Sequence, residues 1–94
     1  MTKAEAIATI SEKTGIDKAS VSSTLEAFFV TVKTSLSEGE PLYIRGFGSF
    51  INKKRAAKKA RNISKKITVT VPEHHVPSFK PSKEFVELIK DNIK

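Results

Sequence analysis

An α+β fold is predicted by three features of the sequence: a helical hydrophobic period that gives way to alternation near residue 40, a densely cationic stretch after that switch, and a return to helical spacing beyond Pro81. The chain has 94 residues, enough for one domain but with little room for a thick hydrophobic core. Only 38% of its residues are hydrophobic and none is Trp, so a partner subunit is an expected source of further buried surface.

The elements follow in order. Thr2 and Glu5 have capping-box spacing, and Ala4, Ile7, Ala8 and Ile10 recur at helical steps, which predicts a first helix over about residues 3–14 closed by Gly15. Asp17 can cap a second helix whose apolar positions are Val21, Leu25, Phe28, Phe29, Val32 and Leu36, with Gly39 as its stop. That stripe is broader than the short first helix can cover, so it must pack on a sheet, on another subunit, or on both. Leu42, Ile44, the Gly46 and Gly48 pair and Phe50 read as a short hairpin leading into a second strand. Ile67, Val69 and Val71 alternate with Thr68 and Thr70 and mark another strand before Pro72.

Between Phe50 and Ile67 stand eight basic residues and little that could be buried. Two strands projecting as an antiparallel arm, with its tip near residues 62–66, account for this segment. A helix over residues 53–60 competes, because Lys, Arg and Ala are good helix formers. Pro77 and Pro81 hold Ser78, Phe79 and Lys80 extended, and Ser82 can cap a last helix carrying Phe85, Leu88, Ile89 and Ile93. One domain over residues 1–94 is expected, with a helical base (1–40), strands and arm (41–81) and a C-terminal helix (82–94).

The net charge is +7, and it is concentrated. Residues 1–40 carry four Lys against six acids, and residues 73–94 carry four Lys against four acids. Residues 41–72 carry nine Lys or Arg and no acid. So positive a segment calls for a polyanion, which points to nucleic acid or an anionic membrane surface. The membrane reading is disfavoured, since the stretch lacks the amphipathic Trp or Leu face of surface anchors. A two-stranded ribbon fits DNA grooves, and Lys53, Arg55, Lys58, Lys59, Arg61, Lys65 and Lys66 are its candidate phosphate contacts. Arg55 and Arg61 offer the more oriented ones. Ile63 is a bulky apolar residue at the expected tip, which suits either a wedge between base pairs or a side chain folded back on its hairpin.

Arg45-Gly46-Phe47-Gly48-Ser49-Phe50, then Arg55-Ala56-Ala57-Lys58-Lys59-Ala60-Arg61-Asn62, then Val76-Pro77-Ser78-Phe79-Lys80-Pro81 resemble the HU/IHF family of bacterial DNA-bending proteins. The opening Lys3-Ala4-Glu5, the Lys13-Thr14-Gly15 helix end and the Leu25-Glu26-Ala27-Phe28-Phe29 run agree in order and spacing, so the likeness spans nearly the whole chain. It implies an intertwined homodimer with a helical dimerisation base, an antiparallel three-stranded sheet and a protruding two-stranded β-arm from each chain. It further implies low-specificity binding and bending of double-stranded DNA through the minor groove, chromosome compaction, and a cytoplasmic, nucleoid location. The implied contacts are Lys3, Lys53, Arg55, Lys58, Lys59, Arg61, Asn62, Ser64, Lys65, Lys66, Lys80 and Lys83. The implied dimer core is Leu25, Phe28, Phe29, Val32, Leu36, Leu42, Ile44, Phe47, Phe50 and Phe79. Pairing with a related chain and RNA as a second ligand are left open.

The tip departs from the family pattern of Arg-Asn-Pro with a Gly three residues after the Pro. Ile63 stands at the Pro place and Lys66 at the Gly place, so Ile63 would have to serve as the wedge. No enzyme, cofactor or metal is expected. The chain has no Cys, the adjacent His74 and His75 point to opposite faces of a strand, and neither Ser49 nor Ser64 is placed as a nucleophile beside a His.

Overall fold

The computed structural model describes residues 1–62 and 67–93, in the order α1 (Lys3–Thr14), α2 (Lys18–Ser37), β1 (Leu42–Ile44), β2 (Gly48–Arg55), β3 (Lys58–Asn62), β4 (Ile67–Val71), β5 (His74–Pro81), α3 (Lys83–Asn92). The expected caps form. The Thr2 hydroxyl accepts from the Glu5 amide at 3.2 Å, Asp17 accepts from the Ser20 amide at 3.0 Å, and the Ser82 hydroxyl accepts from the Phe85 amide at 3.2 Å. The bond from the Ser20 amide, joined by the Ser20 hydroxyl, holds the Asp17 carboxyl below its ordinary value of 3.8. A carboxyl lowered in the folded state adds stability above that ordinary value, and the contribution is lost as the pH falls below it.

β1, β2 and β5 form a three-stranded antiparallel sheet in the order β1-β2-β5, and β3 pairs antiparallel with β4. Pro77 and Pro81 are tolerated in β5 because it is an edge strand, where missing amide donors leave no ladder position unfilled. The competing helix over residues 53–60 does not form. Those positions lie in β2 and β3, apart from Ala56 and Ala57 between them, so cross-strand pairing overrides the helix preference of Lys, Arg and Ala.

All six phenylalanines are linked by ring contacts across the face of the sheet that meets α2. Phe28 lies 6.3 Å from Phe29 and 6.4 Å from Phe50; Phe50 and Phe47 each lie 5.1 Å from Phe79; Phe85 stacks on Phe47 at 5.4 Å. Asn52 fastens this face to the helix, its amide donating to the Leu36 carbonyl at 2.8 Å.

One chain does not close this core. Among the described residues only Val21 and Leu36 are buried hydrophobics, whereas Phe28, Phe29 and Phe79 are each 37% exposed and Phe47 43%. The chain exposes 7927 Å², against roughly 5,400 Å² for a compact monomer of this mass. Its Cα radius of gyration is 18.8 Å, against about 12 Å for a compact chain of this length. The excess lies in a projecting ribbon and in an uncovered apolar face.

Gly48 sets how closely β2 and β5 approach. A Cβ there would sit 2.5 Å from the Lys80 carbonyl oxygen and 2.7 Å from the Phe79 ring. Gly48→Ala is therefore expected to lower stability by about 1–3 kcal/mol, measured by urea unfolding; an unmoved midpoint would show that the strands have room to separate.

Candidate nucleic-acid interface

Directly opposed residues of an antiparallel pair share a face, so the β2–β5 register sorts the side chains into two sets. Phe50, Asn52 and Lys54, opposite Phe79, Pro77 and His75, lie on the face toward α2. Ser49, Ile51, Lys53 and Arg55, opposite Lys80, Ser78, Val76 and His74, lie on the other. Tyr43 of β1 joins this second face through its pairing with Ser49.

The two faces differ in chemistry. On the helix side an open hollow of about 910 Å³ is lined by Val32, Leu36, Phe50, Pro77 and Phe79 among others. On the opposite side a shallow hollow of about 670 Å³ brings Tyr43, Arg45, Ser49, Ile51, Lys80 and Lys83 together at the foot of the ribbon. Lys53 and Arg55 continue the cationic surface upward, both exposed.

The ribbon continues past the end of the sheet. Ala56 and Ala57 face Pro72 and Glu73 across a break in the ladder, two residues on each side, and β3 and β4 resume pairing with the offset of β2 and β5. Pro72 explains the break, since it has no amide to donate. No residue is inserted on either strand, so there is no bulge to turn the arm. From Gly48 to Asn62 an extended strand covers about 50 Å, most of the 57 Å length of the molecule.

Two ion pairs occur among the described residues. Lys54 meets Glu73 at 2.9 Å on the side away from Lys53 and Arg55, and Lys3 of α1 meets Glu26 of α2. Both pairs are half exposed and hold their geometry only weakly. Lys53, Arg55, Lys58, Lys80 and Lys83 have no carboxylate partner among the described residues.

A model of the bacterial DNA-binding protein family matches residues 1–90. The chain belongs to this family. Among family members, the DNA-binding protein HU of Thermotoga maritima is 40% identical over 90 residues, covering 96% of this chain and 100% of that protein. The prophage-derived DNA-binding protein HU 2 of Bacillus subtilis is 37% identical over 90 residues, covering 96% and 98%. Among solved structures, an Anabaena HU crystallised with DNA shares the fold at a TM-score of 0.90 and 30% identity, covering 95% of this chain and 97% of that one.

The predicted contacts are distributed unevenly over this HU-family fold. Lys53, Arg55, Lys80 and Lys83 border one continuous surface, while Lys3, on α1, is engaged by Glu26 of α2. Lys58, Lys59, Arg61 and Asn62 lie along β3, opposite Val71, Thr70, Thr68 and Ile67. Ile63, Ser64, Lys65 and Lys66 lie outside the described residues. Of the expected core residues, Phe28, Phe29, Phe47, Phe50 and Phe79 are joined by ring contacts and Val32 and Leu36 line the hollow on the α2 side; the structure adds Phe85 of α3 to the ring cluster. Sequence reasoning did not single out Arg45, Tyr43 or His74 for the cationic face. Strand register places Tyr43 and His74 there, and the β1–β2 turn brings Arg45 to the same hollow. Among the described residues no group of three or more metal-ligating side chains occurs, and no helix is long and apolar enough to cross a membrane.

Proposed function

We propose that this chain is a non-enzymatic architectural protein that binds double-stranded DNA as a homodimer, chiefly through phosphates, and bends it. The observation that carries this reading is the ribbon's cationic face. Lys53, Arg55, Lys80 and Lys83 share it without a carboxylate partner among the described residues, while the opposite face is apolar where it meets α2. The solved HU–DNA relative of the same fold supports it.

A second copy of the chain covers the exposed phenylalanines and sets two ribbons on one side of the base, where they embrace a duplex. Lys53, Arg55, Lys58, Lys59, Arg61, Lys65 and Lys66 neutralise phosphates along the groove, with Asn62 and Ser64 near the tip and Lys80 and Lys83 at the foot. Ile63 wedges between base pairs, trading stacking for the contacts that a bend permits. The face offers few Asn, Gln or carboxylate groups for reading base edges, which fits low sequence specificity. Chromosome compaction in the nucleoid is the role such binding suits.

Duplex affinity measured across a salt series tests the proposal. With roughly six to ten phosphates neutralised per dimer, affinity is expected to fall about a thousandfold or more between ~50 and ~200 mM salt. Lys53→Gln is expected to make the slope shallower by about 0.9 per ribbon engaged, whereas Lys54→Gln, on the other face, leaves it nearly unchanged. Equal effects of the two variants would contradict the assignment of faces.

Lys3 must leave Glu26 before it can reach a phosphate. Glu26→Gln removes that competition and is expected to raise duplex affinity a few-fold in dilute buffer, with little change in stability because the pair is half exposed. Unchanged affinity would take Lys3 out of the interface.

A further inference from the structure

His74 lies on the cationic face of the ribbon, directly across from Arg55 and diagonal to Lys53. It is exposed, and its Nδ1 stands 2.9 Å from the Pro72 carbonyl oxygen. A carbonyl oxygen only accepts, so Nδ1 carries a hydrogen and the proton taken up on acidification goes to Nε2. In the neutral ring Nε2 presents a lone pair, which repels a phosphate oxygen. In the imidazolium it becomes an N–H donor able to form a charge-assisted bond to that oxygen.

The surroundings favour a phosphate as the partner. Facing His74 are Arg55 and Lys53 on β2 and the apolar Val76 on its own strand, with Pro72 and Ala57 toward the arm, where β3 begins at Lys58. Glu73 is engaged by Lys54 on the opposite face, and His75 pairs across from Lys54 on that face too. Among the described residues no carboxylate shares the face of His74, so the counter-charge for an imidazolium there arrives with the DNA backbone.

We infer that His74 is a proton-gated phosphate contact, so that the ribbon grips DNA more tightly in mildly acidic than in mildly alkaline buffer. The inference rests on the DNA-binding reading. It makes the strength of that binding depend on pH through one residue per chain.

Duplex binding by the whole protein, followed by fluorescence anisotropy at constant ionic strength between about pH 5.5 and about pH 8, tests it. Affinity is expected to rise several-fold toward the acid end, and the salt slope to steepen by about 0.9 for each imidazolium engaged. His74→Gln, which keeps an N–H donor but cannot charge, is expected to flatten both responses. His75→Gln is expected to preserve them. The difference between the wild type and His74→Gln is the deciding quantity, because it removes the contribution of every other group. Identical pH profiles for those two proteins, or a profile flattened by His75→Gln instead, would overturn the inference while leaving DNA binding intact. Failure of every form to bind duplex in dilute buffer at any pH would overturn the DNA-binding reading and this inference with it.

Discussion

The constraint on which the structure depends is an apolar face that one chain cannot cover. α2 brings Phe28 and Phe29 to the sheet, β2 and β5 bring Phe50 and Phe79, and the β1–β2 turn and α3 add Phe47 and Phe85. The rings touch one another, yet several stay more than a third exposed. At about 25 cal/mol per Å² of apolar surface removed from water, covering such a face stabilises the chain in proportion to the area hidden. A second copy would supply the cover at no cost in sequence, and a two-fold arrangement would also place two ribbons symmetrically.

The same two strands serve both ends of the molecule. Near Gly48 and Pro81 their pairing is closed by Phe79 packing and by the Asn52 bond to α2. Beyond Arg55 and His74 they leave the base and carry cations instead of aromatics. Because the register is kept through the Pro72 interruption, the alternation that buries Phe50 places Lys53 and Arg55 on the far side. Core and interface are thus two faces of one ladder, and a slip of a single residue would exchange them.

Much of this was legible in the sequence, for identifiable reasons. Thr2, Asp17 and Ser82 act locally, as caps whose partners lie three residues away, so each could be read from spacing alone. The acid-free run was equally plain, because charge needs no fold to be counted. What escaped depends on contacts distant in sequence. The Lys3–Glu26 pair joins residues 23 apart on different helices. The strand expected before Pro72 does end at Val71, but its resumption at His74 escaped, because the pairing of Lys53 with Val76 and of Arg55 with His74 cannot be seen without the register. The same blindness hid His74 and Tyr43 from the cationic face. Helix propensity at Lys, Arg and Ala pointed the wrong way over residues 53–60, where the long antiparallel partner decided the outcome.

The apolar face is tested most directly by the concentration dependence of thermal unfolding of the free protein. If a second copy completes the core, unfolding releases two chains, and the midpoint climbs steadily as protein concentration is raised. A cooperative transition at one midpoint from nanomolar to high micromolar protein, with a monomer's mass by sedimentation throughout, would mean that a single chain is sufficient and would contradict the account.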